Sequence, residues 1–173
     1  RSFHVTGVQT CALPISGFVE ELSVDPPHPP ACAEALLAIA EADAIVLGPG
    51  SWFTSVITHL VIPEIAEAIA ASDALRVVVL NLNPQVGETS GFAAHTYLEV
   101  LRDYVPQVDV VIADRRHVDD LELLEAHARN LGAHVVLADV AGTGRRGAGQ
   151  HDPQRLAVAF DSLVTAPRSN GAP

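Results

Sequence analysis

Nearly continuous apolar runs alternate with amphipathic segments along most of the chain. Four apolar runs are predicted as strands of a parallel sheet covered on both faces: residues 44–48, 75–82, 108–113 and 133–140. Five segments carry apolar residues at helical spacing and are predicted as helices: residues 31–42, 60–72, 92–104, 118–131 and 152–163. This alternation favours an α/β fold, with helices on both faces of a parallel sheet and right-handed crossovers.

Local signals refine the ends of these elements. Pro63 fits the first turn of its helix, Gly132 is placed to close the helix before it, and Asp152 is predicted to cap the last helix. Residues 17–24 alternate loosely and are interpreted as a short strand. Cys32 lies in an alanine-rich helix and is expected to be a core residue rather than a nucleophile.

The chain ends are expected to lie outside the native domain. Residues 1–16 resemble the translation of a sequencing adapter, so we expect a non-native head there. Residues 17–165 then form one α/β domain, and residues 166–173 a disordered tail. The chain contains no methionine, even at position 1, so we expect it to be a fragment of a longer protein.

Composition excludes several classes of protein. The net charge is −11, from 21 acidic and 10 basic residues, which is the wrong sign for a general nucleic-acid binder. No apolar run approaches the roughly 20 residues of a membrane span. Two cysteines make no disulfide framework, which favours a reducing cytosol. We therefore expect a cytoplasmic protein without a membrane span or a nucleic-acid partner.

Three polar loops follow the carboxyl ends of predicted strands, at residues 48–55, 83–91 and 115–117. Such loops open on one edge of a parallel sheet, where ligands usually bind. The glycines of the first loop let a phosphate approach the backbone, and free N–H groups at the next helix start can hold it. We therefore hypothesise a phosphate- or nucleotide-binding cleft.

The candidate ligand-binding residues lie in or beside these loops, or just before the last helix: Gly48, Pro49, Gly50, Ser51, Thr54, Ser55, Asn81, Gln85, Glu88, Thr89 and His151. The alternative for the first loop is an ordinary turn with hydroxyl caps. The four candidates between 81 and 89 either contact sugar hydroxyls or a base edge, or satisfy their own turn. Trp52 and Phe53 either cover a ligand ring or belong to the core. His151 with Asp152 suggests acid–base chemistry. The alternative is that Asp152 caps the last helix.

Other motifs are weaker. Eight histidines form no H-x-x-x-H or Cys/His cluster, so no metal ligand is assigned. There is no G-x-S-x-G nucleophile turn, and no catalytic residue is assigned. Residues 142–147 match G-x-G-x-x-G, but they follow the last predicted strand, which is the wrong context for a dinucleotide site.

Three ordered stretches carry a resemblance: GPGSWFTSVITHLVIPEIAEAI, VVVLNLNPQVGETSGFAAHTYLEVL, and LADV followed by HDPQRLA. Over about residues 18–163 the chain resembles the gluconeogenesis factor family (YvcK-like), and most closely its actinobacterial branch. That family is related to the 2-phospho-L-lactate transferases (CofD-like). The family's GPGS-x-x-TS, N-x-x-x-Q-x-GET and HDP motifs align at residues 48–55, 81–89 and 151–153. Thr58, Phe92 and Gln150 stand where members usually have proline, tyrosine and arginine.

The resemblance implies a Rossmann-like three-layer fold whose mainly parallel sheet is incomplete at the N-terminus. The family's N-terminal GGGTG phosphate loop and Asp-Asp-Gly-Gly segment are missing from this chain, so we expect a C-terminal portion. It also implies a non-catalytic cytoplasmic regulator that binds a UDP-sugar, without a certain cofactor. Its role would be in cell shape and cell-wall supply on gluconeogenic carbon sources, and we expect a homodimer.

Two other functions stay open. The first is a metal-dependent 2-phospho-L-lactate transferase that acts on a deazaflavin, for which Mg²⁺ would be the cofactor. The second is a non-catalytic α/β interaction module.

Overall fold

The computed structural model of this chain describes residues 19, 22–143 and 149–165. The predicted head and tail, and part of the G-x-G-x-x-G match, lie outside these residues. Of the strand predicted at 17–24, Val19 and residues 22–24 are described, and they form no strand. The prediction is therefore wrong for these residues, of which Val19 and Leu22 pack against the core.

Within the described residues, four short strands form one parallel sheet in the order β1-β2-β3-β4. They are β1 (Ala44–Leu47), β2 (Leu75–Val79), β3 (Val110–Asp114) and β4 (His134–Ala138). The register pairs Val46 with Val77 and Val111 with Val135. Because all the strands run the same way, their exit loops lie at one edge of the sheet, and loops of neighbouring strands lie side by side.

The described α-helices agree with the predicted ones except after β1, and a 3-10 helix forms in the segment predicted as the third polar loop. The described helices are α1 (Ala33–Ala40), a π-helix (Trp52–Ile57), α2 (Thr58–Leu60), α3 (Pro63–Ala71), α4 (Ala94–Leu101), the 3-10 helix (Arg115–His117), α5 (Leu121–Asn130) and α6 (Pro153–Thr165). The sequence predicts a helix only from residue 60, whereas the chain is helical from Trp52. The reason is that Trp52, Phe53, Val56 and Ile57 are all buried and recur at helical spacing.

Both faces of the sheet are covered, which confirms the predicted three layers. Helices α3, α4 and α5 pack on the face that contains Val78 and Val111. Helix α6 packs on the other face, against Val77, Val79 and Ile112. The three valines of β2 have no exposed surface, and burying each side chain contributes about 2 kcal/mol. This central strand holds Asn81 and the second loop in place.

The helix ends confirm two predictions and correct a third. Gly132 has a φ of 78°, and the N–H of the following residue donates to the Ala128 carbonyl at 2.9 Å, which closes α5. Asp152 caps α6, because its carboxylate accepts the Gln154 N–H at 3.0 Å. Cys32 is exposed at the start of α1, so the expectation that it lies in the core is wrong.

No single helix among the described residues is long and apolar enough to cross a membrane. The segments Trp52–Leu60 and Pro63–Ala71 meet the length and composition criteria only as a pair, and they are bent by 76° relative to each other.

Candidate functional site

The two glycines of the turn after β1 have different structural roles. Gly48 has a φ of +82°, and a Cβ added there would lie 2.7 Å from the Val79 carbonyl oxygen. The fold therefore requires glycine at position 48. A Cβ added to Gly50 would lie 3.6 Å from the Ser55 Cβ, an ordinary van der Waals contact. Position 50 is therefore the part of the turn with space beside its backbone.

Asn81 joins this first loop to the segment that follows β2. Its Oδ1 accepts the Gly50 N–H at 3.1 Å, and its amide nitrogen donates to the Gly50 carbonyl at 2.7 Å. The side-chain amide thus pairs with both backbone groups of Gly50. The Gly50 N–H is therefore not free to bind a phosphate.

The buried carboxylate of Glu88 joins the same two loops a second time. It is 7% exposed, and it accepts the Ser51 hydroxyl at 2.6 and 2.7 Å and the Thr54 N–H at 3.0 Å. The Ser51 and Thr54 hydroxyls also contact each other. The Glu88 carboxylate thus contacts the first turn of the π-helix, where the backbone N–H groups favour a negative charge. The sequence predicts free N–H groups at this helix start that could hold a phosphate. That prediction is wrong at Thr54, because its N–H is bonded to Glu88.

Thr89 is wholly buried and holds the second loop together. Its hydroxyl oxygen accepts the Gln85 N–H at 2.8 Å and the Tyr97 hydroxyl at 3.3 Å. Burial raises the pKa of the Tyr97 phenol, which keeps that hydroxyl a donor at neutral pH. For Glu88 and Thr89 the structure therefore favours internal loop bonding over ligand contact.

Trp52 and Phe53 belong to the core. Trp52 is fully buried, and its ring meets Tyr97 edge to face at a centroid distance of 5.0 Å. Phe53 meets Phe92 in the same way at 6.2 Å. Of the two alternatives for this pair, the ligand-covering one is wrong.

An open cleft of about 620 Å³, here called the first cleft, lies at the carboxyl edge of the sheet. This volume is within the range of small-molecule sites, about 300–1,000 Å³. Its described lining comes from the segments after β1, β2 and β4: Pro49, Gly50, Ser51, Asn81, Leu82, Asn83, Pro84, Gln85, Gly149, Gln150 and His151.

The first cleft divides the candidate residues into two groups. Six of them line it: Pro49, Gly50, Ser51, Asn81, Gln85 and His151. The other five lie beside it without lining it: Gly48, Thr54, Ser55, Glu88 and Thr89. Ligand contact by the first group stays a prediction, while Gly48 and Glu88 shape and hold the loops.

His151 reaches the first cleft from the segment after β4, where it pairs with Ala141 in an antiparallel bridge. Burial lowers the pKa of the His151 imidazole, although the nearby Asp114 carboxylate acts in the opposite direction. Its Nε2 is buried and has no hydrogen-bond partner among the described residues. Each nitrogen of a neutral imidazole either donates or accepts one hydrogen bond, so Nε2 still has the capacity for one.

Asp114 organises the third loop, and the sequence analysis missed it. It ends β3, is 2% exposed, and bonds the Ala141 N–H at 2.7 Å, His117 Nδ1 at 3.0 Å and the Arg116 guanidinium at 3.2 Å. Burial alone would raise the pKa of Asp114, but these hydrogen bonds outweigh it and hold the pKa well below its usual range. The available signal was one acidic residue at the end of an apolar strand, directly before Arg-Arg-His.

A second cleft, of about 350 Å³, lies between the second and third loops. Its lining is Leu82, Asn83, Pro84, Phe92, Ala93, Ala94, Arg116, His117, Val118 and Asp119. The segment 82–84 lines both clefts. The predicted meeting of the three loops at one edge is thus confirmed, and the segment after β4 joins them.

No group of three or more His, Cys, Asp or Glu side chains able to hold a metal ion occurs in the described part of the chain.

A parallel sheet covered by helices on both faces, with two clefts at its carboxyl edge, defines the class of the protein as an α/β domain. A profile of the family described as 2-phospho-L-lactate transferase CofD matches residues 9–150. The chain belongs to this family, and the resemblance seen in its motifs is confirmed.

Curated relatives carry the name gluconeogenesis factor. The chain is 40% identical over 168 residues to the protein of Mycobacterium tuberculosis (strain CDC 1551 / Oshkosh), covering 94% of this chain and 48% of the relative. It is 38% identical over 178 residues to that of Mycobacterium leprae (strain TN), covering 100% and 49%. A crystal structure of a UPF0052 family member from Bacillus halodurans matches with a TM-score of 0.71 at 27% identity, covering 83% of this chain and 50% of that one. The chain therefore spans about half the length of these relatives.

Proposed function

We propose that this protein is a non-catalytic, cytoplasmic regulator that binds a UDP-sugar in the first cleft. The observation that carries the proposal is the composition of that cleft. Its described lining contains no acidic side chain, although the chain as a whole has a net charge of −11. A diphosphate therefore meets no carboxylate repulsion from these residues.

The groups along the first cleft also suit a nucleotide. The segment Pro49–Ser51 brings main chain to the cleft wall, beside the side-chain amides of Asn81 and Gln85. Amide groups both donate and accept hydrogen bonds, which matches the edge of a uracil ring and the hydroxyls of a ribose. His151 also contributes to the lining of this cleft.

The family supports a role for this binding in metabolism. The relatives' name, gluconeogenesis factor, agrees with a protein that links nucleotide-sugar supply to cell shape and cell-wall synthesis on gluconeogenic carbon sources. We propose that it acts as a homodimer, without a bound cofactor. A deletion strain is expected to lose its normal shape on a gluconeogenic carbon source and to keep it on glucose.

A second candidate function is favoured by the family's own description. It names a 2-phospho-L-lactate transferase, and such an enzyme would bind a deazaflavin in the same cleft. The described residues offer no group of three His, Cys, Asp or Glu side chains for its Mg²⁺.

Thermal unfolding with added ligands separates these candidates. The full-length protein is used, because the chain spans about half of its relatives. UDP-N-acetylglucosamine at about 100 times its dissociation constant stabilises a one-site protein by about 2.7 kcal/mol, and we expect a rise of a few degrees in Tm. Stabilisation only by a deazaflavin with Mg²⁺ would favour the transferase. No shift with either, together with a concentration-dependent dimer, would favour an interaction module.

A further inference from the structure

The second cleft differs chemically from the first. Its lining includes the apolar residues Leu82, Pro84 and Phe92. It also includes polar groups of the third loop, such as His117, and Asp119 after that loop. Apolar residues together with a few hydrogen-bonding groups are the common lining of a site for a small organic molecule.

Asp114 determines which nitrogen of His117 can accept a hydrogen bond. The low pKa of Asp114 keeps this carboxylate ionised, so it accepts hydrogen bonds and donates none. Its Oδ1 lies 3.0 Å from His117 Nδ1, which places a proton on Nδ1. In the neutral ring Nε2 then carries the free lone pair, as in histidines held by a carboxylate at metal sites. The His117 ring lines the second cleft.

The remaining charges of the second cleft disfavour a phosphate. The Arg116 guanidinium is already bonded to the Asp114 carboxylate at 3.2 Å and to the Ala141 carbonyl at 3.3 Å. Asp119 brings a second carboxylate, which lies 3.4 Å from the Ala94 N–H. Acceptor groups together with apolar residues suit a molecule with hydroxyl donors and an apolar face, which is the chemistry of a sugar ring.

We propose that the second cleft binds the sugar of the nucleotide sugar, and that His117 Nε2 accepts a hydrogen bond from one of its hydroxyl groups. This inference rests on the proposed function, which places the nucleotide in the first cleft. The two clefts adjoin, because the segment 82–84 lines both, and the proposal requires one ligand to extend across this shared segment. Asp114 is then a positioning residue, since it acts on the ligand through His117.

Two replacements of His117 distinguish the contributions of its two ring nitrogens to ligand binding. In His117→Asn the side-chain amide can still donate to Asp114 from the position of Nδ1, but nothing replaces Nε2. In His117→Gln the longer side chain can place an acceptor oxygen near the position of Nε2. His134→Ala is the control, because His134 is exposed at the first residue of β4, at the opposite edge of the sheet. The full-length protein is titrated calorimetrically with UDP-N-acetylglucosamine and with UDP.

We expect His117→Asn to bind UDP-N-acetylglucosamine about fivefold more weakly and UDP with less than a twofold change, the size of one ordinary hydrogen bond. His117→Gln should recover part of the loss, and His134→Ala should bind both ligands as the parent does. Equal affinity of parent and His117→Asn for the UDP-sugar would overturn the subsite while leaving the proposed function intact. An equal loss for UDP and the UDP-sugar would also overturn it. A parent protein that binds neither ligand would overturn the proposed function and the subsite together.

Discussion

The Ser51 hydroxyl donates to the buried Glu88 carboxylate at 2.6 and 2.7 Å, although the two residues are 37 positions apart in the sequence. This contact ties the loop after β1 to the loop after β2, directly beside the first cleft. Because Glu88 is 7% exposed, water cannot easily replace a lost partner, and the contact therefore holds the cleft wall firmly.

Replacing Glu88 by glutamine tests this tie. The glutamine oxygen can still accept the Ser51 hydroxyl and the Thr54 N–H, as Oε1 of Glu88 does. The variant loses the negative charge and the second contact between Ser51 and Oε2. We expect the free energy of unfolding in urea to fall by about 2 kcal/mol. Glu99→Gln is the matched control, because Glu99 is exposed on α4 and its replacement should change stability by less than about 0.5 kcal/mol. Equal stability of the two variants would show that the tie is not structurally important.

The two glycines of the first loop should respond differently to alanine. Gly48→Ala forces an L side chain into a φ of +82° with its Cβ 2.7 Å from the Val79 carbonyl oxygen, so we expect a loss of more than about 1 kcal/mol. Gly50→Ala meets only the Ser55 Cβ at 3.6 Å and should keep the parent's stability. Thermal unfolding of both variants measures the difference. Equal Tm values would contradict the roles given to the two positions.

Asp114 should make stability depend on pH in the acid range. Its pKa in the folded protein is depressed, so its contribution is present above the unfolded-state value of about 3.9 and is lost as the pH falls through the lower folded value. Asp114→Asn should lose about 2 kcal/mol at pH 7. The difference in the free energy of unfolding between parent and variant should then become smaller as the pH is lowered below about 4.

Urea unfolding of both proteins between pH 7 and pH 3 measures this change in the stability difference, with Asp73→Asn as the control, because Asp73 is exposed just before β2 at the other end of the sheet. A difference in the free energy of unfolding that stays constant over this pH range would contradict the ionised, hydrogen-bonded state of Asp114.

The cap of α6 gives a further prediction. Asp152 Oδ1 accepts the Gln154 and Arg155 N–H groups, each at 3.0 Å. Asp152→Ala should lower the free energy of unfolding by about 1 kcal/mol, whereas Asp152→Asn keeps a capping oxygen and should lose much less. If the two variants lose equal stability, the side chain does not act as a helix cap.

The parallel sheet and its loop-bearing edge could be predicted because the apolar runs and turn signals are local. The runs around Val78 and Val111 are continuous in the sequence, and their fully buried positions follow from helices covering both faces. The helix at Trp52 could not be predicted in the same way. The Gly-Pro-Gly-Ser turn before it, and its own threonine and serine, suggest a loop, while the burial of Trp52 depends on rings from distant segments, such as Tyr97.

The meeting of the loops at one edge of the sheet was predicted, but the contacts of their side chains were not. Glu88 and Thr89 are polar residues in a loop, and sequence alone favours their exposure. Their burial depends on long-range partners, Ser51 at 37 positions and Tyr97 at eight, which no local pattern contains. Asp114 was missed for a related reason, because its bond to Ala141 spans 27 positions.

The central claim is that the Gly50 backbone forms part of a wall against which a UDP-sugar binds, and one calorimetric titration tests it most directly. The full-length protein and its Gly50→Val variant, matched in Tm, are titrated with UDP-N-acetylglucosamine. We expect saturable binding to the parent and at least about tenfold weaker binding to the variant, which corresponds to about 1.4 kcal/mol. Equal affinity of the two proteins, or no binding to the parent, would contradict the account.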